Sequence, residues 1–230
     1  MSALAIIPAR GGSKRIPRKN IRPFAGKPII AWTIETALAA DLFDTVMVST
    51  DDPEIADIAR AAGAQVPFMR SAKAADDQAG IADALREVLA AFSASAQRFD
   101  TACCLYPTAP FMTPGDLREG QRLLWQGTFD VVLPVARFSY PIWRSLRREP
   151  DGTVDLFFAE HAQTRSQDLP PAYHDAGQWI WLDVAAFMAG TPLLGPRTGS
   201  LLLPDARVQD IDDEADWETA ERKFAALRAG

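Results

Sequence analysis

Long apolar runs are missing from this chain of 230 residues. No stretch approaches the roughly 20 apolar residues that a membrane-spanning helix needs. The short run from Ala3 to Ile7 is too brief for a secretory leader, and its basic cluster follows rather than precedes it. The expectation is a soluble, cytoplasmic protein that does not engage a membrane. Cysteine is scarce: Cys103 and Cys104 are the only two, and they are adjacent. Neighbours on a strand point to opposite faces, so the pair is predicted to stay reduced and buried rather than to bridge. A basic excess is also lacking. Lys and Arg number 24 against 30 Asp and Glu, a net charge of −6, which excludes nucleic-acid binding through bulk electrostatics. There is no internal repeat and no low-complexity linker. Both common nucleotide loops, Gly-x-x-x-x-Gly-Lys-Ser/Thr and Gly-x-Gly-x-x-Gly, are absent.

What is present is a globular composition, 48% hydrophobic and 23% charged, on a length that fits one domain spanning residues 1–230. Leu4 to Pro8 is predicted as a buried strand. Pro28 is expected to open a helix whose stripe is Ile30, Ile34, Ala37 and Leu38. Thr45 to Ser49 reads as a strand, and Asp52-Pro53 opens a helix ending near Gly63. Ile81, Leu85, Val88, Leu89 and Phe92 share one helical face. Thr101 to Leu105 is a strand, Pro114 begins a helix, and Val131 to Val135 is a further strand. This alternation predicts a three-layer α/β fold around a mostly parallel sheet. From Phe138 the rhythm changes. Trp143 to Arg147 and Val154 to Phe157 form a predicted β-hairpin across Pro150-Asp151-Gly152. Residues 138–180 are therefore expected as an excursion that covers substrate or meets a second subunit. Gln178 to Leu182 is a strand, Leu201 to Leu203 and Arg207-Val208 return to the sheet, and a last helix from Asp213 to Ala229 turns Trp217, Phe224 and Leu227 inward.

Charge is unevenly placed. The first 27 residues carry Arg10, Lys14, Arg15, Arg18, Lys19, Arg22 and Lys27 and no acid. Most of these lie in or beside Pro8-Ala9-Arg10-Gly11-Gly12-Ser13-Lys14-Arg15-Ile16-Pro17-Arg18-Lys19-Asn20, directly after the first strand. Glycines let a backbone approach an anion closely, and cationic side chains neutralise a polyphosphate. The carboxyl end of a strand is where open α/β sheets bind ligands, which favours an anion site over a solvated loop. Near the other terminus, Asp210 and Asp212 alternate along an extended segment and so point to one side. Two carboxylates can then meet one hard cation, and Mg²⁺ takes such oxygens together with water and phosphate. Asp213, Glu214 and Asp216 are expected to cap the last helix instead.

The run Ile-Pro-Ala-Arg-Gly-Gly-Ser-Lys-Arg-Ile-Pro-Arg-Lys-Asn, followed by Gly26-Lys27-Pro28, resembles the opening of the CMP-sialic acid synthetase (acylneuraminate cytidylyltransferase) family. The resemblance runs in order along nearly the whole chain and implies a Rossmann-like nucleotidyltransferase fold. It implies that Arg10, Gly11, Ser13, Lys14, Lys19 and Asn20 bind CTP. Leu105-Tyr106-Pro107-Thr108-Ala109-Pro110-Phe111 matches a stretch near the nucleotide, which adds Pro107 and Thr108. The family usually has Gln and Ser where this chain has Tyr106 and Ala109. Arg70, in Phe68-Met69-Arg70-Ser71-Ala72 and upstream of Asp76-Asp77, matches a further nucleotide-binding arginine. Asp210-Ile211-Asp212 matches the family's metal-holding Asp-Ile-Asp, here with Mg²⁺.

Thr164-Arg165-Ser166-Gln167-Asp168-Leu169-Pro170 and Tyr173-His174-Asp175-Ala176-Gly177-Gln178 resemble the pseudaminic acid cytidylyltransferase branch. Pro141-Ile142-Trp143-Arg144-Ser145-Leu146 agrees with that branch. Arg165, Gln167, Tyr173, His174, Asp175 and Gln178 are thereby implied as contacts to a nine-carbon acidic sugar. His174 is a candidate base or one half of a His–Asp pair, and His161 is read as a surface residue. The implied reaction is in-line attack of the sugar's anomeric hydroxyl on the α-phosphorus of CTP. Arg10, Lys14, Lys19 and Asp212 carry the catalytic burden, and a homodimer is implied. The same reaction on N-acetylneuraminate, legionaminate or a ketodeoxyoctonate is the nearest alternative. A nucleotidyltransferase acting on sugar 1-phosphates and a non-catalytic nucleotide-binding relative are alternatives of other classes.

Overall fold

A computed structural model describes residues 1–71 and 80–229; Asp76 and Asp77 lie outside the described residues. Strands follow in the order β1 (Ala3–Pro8), β2 (Pro23–Phe24), β3 (Lys27–Pro28), β4 (Thr45–Ser49), β5 (Thr101–Leu105) and β6 (Val131–Arg137). They continue with β7 (Leu146–Arg148), β8 (Val154–Leu156), β9 (Tyr173–Asp175), β10 (Trp179–Asp183) and β11 (Thr198–Leu202). Helices are α1 (Ile29–Ala40), α2 (Pro53–Ala61), α3 (Ile81–Ala94), α4 (Pro114–Trp125), α5 (Val184–Met188) and α6 (Glu214–Ala229).

The main sheet runs β11-β6-β10-β5-β1-β4, with β9 also paired to β6. β4, β1 and β5 are mutually parallel, and β11 is parallel to β6. Only β10 and β9 run against the rest. β4 and β5 are buried at every residue, as strands covered on both faces must be. Alternation divides their side chains between two cores. Ala5, Ile7, Val48, Cys103, Trp179 and Trp181 pack beneath α1, α2 and α4. Leu4, Ile6, Met47, Cys104, Ile180 and Leu182 pack against α3. The fold is therefore the expected three-layer α/β arrangement, and the two cysteines are free, buried and split between its faces. A third core of Ile16, Phe24, Ile29, Ile211, Trp217 and Phe224 fastens α6 to the start of the chain.

Several local expectations shift. Leu38 is 45% exposed because α1 continues its buried stripe through Ala37 to Ala40. Leu227 is likewise 45% exposed, since it lies beyond the Trp217–Ala220–Phe224 stripe. Pro28 ends β3 and precedes α1 rather than occupying its first turn. Arg207-Val208 does not form a strand: Asp205–Arg207 is a single 3-10 turn. The hairpin is present as β7 and β8, with Ile142–Arg144 in a 3-10 turn before it. The main sheet is regained at Tyr173, opposite Arg137, so β9 and β10 belong to it and the excursion is narrower than 138–180.

Candidate active site

The basic loop after β1 is held tightly. The Ala9 N–H donates to Ser49 O at 2.9 Å and the Gly11 N–H to Asp51 Oδ1 at 3.0 Å. A Cβ on Gly11 would stand 2.7 Å from Asp52 Oδ2, so only glycine fits at this approach. Asn20 is buried, and its Nδ2 donates to Arg10 O at 3.0 Å, closing the loop on itself. Arg18 takes a left-handed conformation, φ 57°, and its guanidinium pairs with Asp52 at 2.5 Å and with Glu54. Burial alone would raise the Asp52 carboxyl, but Arg18 and the N–H groups of Ile55 and Glu54 hold it below the usual range.

At least five of the seven early cations pair with acids from elsewhere in the chain. Besides Arg18, Arg15 meets Asp212 at 2.8 Å, Lys19 meets it at 3.8 Å, Arg22 meets Glu214 at 2.7 Å, and Lys27 meets Glu35. The patch that looked acid-free in sequence is therefore partly neutralised by the fold.

At the carboxyl edge of β1 and β5 the loop walls a cleft of about 300 Å³. Arg10, Ser13, Lys14, Lys19, Asn20, Arg70, Pro107 and Thr108 all line it. Of the residues implied to bind nucleotide, only Gly11 stands behind the wall. Arg70 is buried; its Nε donates to Ser49 Oγ at 3.0 Å and its Nη2 to Ser49 O at 2.6 Å. Burial lowers its pKa, and the nearby charge of Arg10 acts in the same direction. The wall also holds residues that the resemblance did not imply, among them Arg15, Tyr106 and the amino end of α3 at Gly80, Ile81 and Ala84. The helix had a signal: Gly80 stands before an apolar-periodic run with Asp83 in the first turn, and Asp83 Oδ2 accepts the Gly80 N–H at 3.1 Å. A helix amino terminus facing a cationic cleft adds to its pull on an anion.

A larger hollow, about 800 Å³, lies at the amino end of β5 beside Phe99, Trp125 and Met188. It holds none of the expected residues, so size alone does not mark the site.

Asp210 and Asp212 lie close enough for the charge of one to act on the other. Burial raises the Asp210 carboxyl above its usual range, the charge of Asp212 raises it further, and Lys19 opposes both. Asp212 is also held in place by its backbone, whose N–H donates to Asp216 Oδ2 at 3.0 Å. Asp213 and Asp216 exchange bonds at the head of α6, Asp216 N to Asp213 Oδ1 at 3.0 Å and Asp213 N to Asp216 Oδ2 at 3.1 Å, the predicted cap. Among the described residues no group of three or more His, Cys, Asp or Glu could hold a metal. A carboxylate pair whose like charges raise one member still fits Mg²⁺, which completes its shell with water and substrate phosphates.

The residues implied to touch sugar do not converge as a set. Asp175 faces the cleft side, close enough for its charge and that of Asp210 to raise the Tyr106 phenol, after burial as the main cause. Its Oδ1 accepts the Gly177 N–H at 2.8 Å. His174 lies on the opposite face of β9, as alternation requires, edge-on to Phe138 at 4.9 Å. Its Nδ1 is 2.9 Å from the Asp175 carbonyl oxygen, so the expected pairing with the Asp175 carboxylate does not form. Gln178 is buried, and its Nε2 donates to Arg207 O at 2.6 Å and braces the main chain, while its Oε1 is buried without a hydrogen-bond partner among the described residues. Gln167 lines a separate hollow with Arg137, Phe138 and Asp205. Arg165 is exposed, preceding the 3-10 turn Ser166–Asp168, and Tyr173 is half-exposed on β9.

A loop of cations and a helix terminus around a cleft, with two carboxylates at its side, can grip a polyphosphate carrying a divalent ion. Known proteins agree with that chemistry. Residues 4–128 match the family model described as Cytidylyltransferase. The chain is 39% identical over 220 residues to a pseudaminic acid cytidylyltransferase of Campylobacter jejuni, covering 96% of this chain and 95% of that one. It is 44% identical over 225 residues to a CMP-N,N'-diacetyllegionaminic acid synthase of Legionella pneumophila, covering 96% of each. In fold it is similar to a CMP:2-keto-3-deoxy-manno-octonic acid synthetase solved with CTP, with a TM-score of 0.71 at 19% identity over 99% of this chain and 100% of that one. From the loop that only glycine can complete to the carboxylates beside it, the chain belongs to the cytidylyltransferase family.

Proposed function

We propose that this protein transfers CMP from CTP to the anomeric hydroxyl of pseudaminic acid, releasing pyrophosphate, as a soluble, cytoplasmic, single-domain enzyme that works as a homodimer. The observation that carries the reading is the convergence of eight implied nucleotide residues on one cleft beside Asp210 and Asp212. The sugar oxygen attacks the α-phosphorus, its proton passes to solvent, and the bond to the bridging oxygen breaks with its electrons on pyrophosphate. Arg10, Lys14 and Lys19 take up the charge of the departing group, while Arg70 and the loop backbone orient the triphosphate. Asp210 and Asp212 would hold Mg²⁺, which supplies charge neutralisation to phosphate oxygens when bound. Lys19 ties that segment to the loop, donating from Nζ to Ile211 O at 2.5 Å.

Pseudaminate as acceptor is supported by the Campylobacter relative and by the Tyr173 to Gln178 stretch. Legionaminate is a second reading, favoured by the 44% identity to the Legionella relative. A pyrophosphate-release assay of CTP against a panel of nonulosonic acids separates them. Turnover with pseudaminate alone is expected; turnover only with legionaminate or N-acetylneuraminate would overturn the acceptor. The dimer is supported by Tyr140, Leu146, Val154 and Phe157, large apolar side chains left exposed on the excursion.

A further inference from the structure

Arg207 stands three residues before Asp210, and its surroundings are unusually well fixed for a loop. Its guanidinium makes a two-point pair with Asp116, Nη1 to Oδ2 at 2.6 Å and Nη2 to Oδ1 at 3.2 Å. Asp116 is itself immobilised at the head of α4, where Oδ2 accepts from Thr113 Oγ1 at 2.6 Å. On its other side, the Arg207 carbonyl accepts from buried Gln178 at 2.6 Å, and the Gln178 carbonyl accepts the Tyr106 N–H at 2.9 Å. Tyr106 lines the nucleotide cleft. Beyond Arg207, Val208 and Ile211 are buried, and Lys223 Nζ donates to Val208 O at 2.8 Å.

A partly buried ion pair adds little net stability, because desolvation offsets much of the attraction; what a two-point pair supplies is geometry. Geometry is what Asp210 needs. Val208 and Ile211 on either side of it are buried, so where Asp210 sits follows from how this segment is anchored.

We propose that Arg207 is a positioning residue. Clamped between Asp116 and Gln178, it holds Asp210 where that carboxylate and Asp212 receive a divalent cation, and it links that place to Tyr106 in the cleft wall. The proposal rests on the reading of Asp210 and Asp212 as cation ligands.

The test uses the full chain with CTP and no acceptor, so that nothing turns over, titrated with Mn²⁺ and followed by electron paramagnetic resonance of the free ion. Arg207→Lys keeps the charge but loses the two-point pair. It is expected to weaken Mn²⁺ binding about tenfold, the low end for groups that orient metal ligands. CTP affinity in the presence of a chelator stays unchanged, and kcat returns towards the parent value at saturating Mg²⁺. Gln178→Leu approaches the same carbonyl from the other side and should move Mn²⁺ binding the same way, even if Arg207→Lys folds poorly. Lower melting temperatures with parental Mn²⁺ binding in both variants would make the clamp structural only and overturn the proposal. Asp212→Asn is the control. If it binds Mn²⁺ like the parent, the cation reading itself has failed and the proposal falls with it; if it weakens binding while the clamp variants do not, only the positioning role is lost.

Discussion

The nucleotide cleft and the excursion between β6 and β9 are built on opposite plans. The cleft is an extension of the core: Ile16, Phe24 and Ile211 are buried beneath it, and its loop is closed by bonds to Ser49, Asp51 and Asp52. The excursion holds two three-residue strands paired only with each other, and β7 is exposed along its length. A polyphosphate needs fixed charges, and fixed charges need a rigid frame; a two-stranded hairpin is marginal without something packed on it. The contrast teaches that, on the proposed reading, the donor half rests on the chain's own core, while the excursion leaves its apolar side chains outside any core.

The largest test of that contrast falls on the rigid half. Asp212→Ala should lower pyrophosphate release at least about a hundredfold, the upper end of the loss caused by residues that merely support a metal ligand. Circular dichroism should be unaltered, because Asp212 lies outside the cores. Near-parental turnover with Mg²⁺ would break the assignment. On the other half, Leu146→Asp with Phe157→Asp should convert a dimer to a monomer in sedimentation and raise KM for the sugar, leaving KM for CTP within about twofold, as expected when only acceptor binding is lost. A dimer that survives both charges would remove the hairpin from the interface.

Gly11→Ala tests how tightly the loop is packed. The added carbon meets Asp52, and overpacking of this kind costs about 1–3 kcal/mol, read as a lower urea midpoint together with a higher KM for CTP and an unchanged KM for sugar. Asp210→Asn should give the smallest effect. Because the native state raises this carboxyl, native protein binds the proton more tightly than unfolded chain, and stability falls as pH rises through the native pKa. The amide escapes that loss, so metal-free variant should melt higher than the parent at neutral pH, with the gain vanishing at pH values below the ordinary carboxylate range. A gain that persists there would show that charge is not its cause.

Much of this was legible because local pattern and tertiary role coincide. Strands buried on both faces, such as Thr45 to Ser49 and Thr101 to Leu105, are apolar without interruption, and α2 carries Asp52 and Pro53 at its head as helices do. The cleft was legible for the same reason, since glycines and cations at a strand end are a local signal. What escaped was non-local. Nothing in Trp179-Ile-Trp-Leu tells which way a buried strand runs, so the reversal of β10 was invisible. Arg15 and Asp212 are 197 positions apart, and ion pairs across such a gap leave no periodic trace. Gln178 looked like a ligand contact because its neighbours do; only the fold shows its amide bracing Arg207. His174 and Asp175 were paired by adjacency, which a strand turns into opposition.

Because β9 pairs with the end of β6, the excursion leaves and re-enters the sheet at touching positions. Arg137 lies opposite Tyr173, and the Phe138 N–H donates to Ala172 O at 3.0 Å. A segment whose two ends already meet can be lengthened, shortened or exchanged without stretching the frame that holds it. Residues 138–172 could thus be exchanged between relatives as one unit while the sheet and the nucleotide cleft stay as they are.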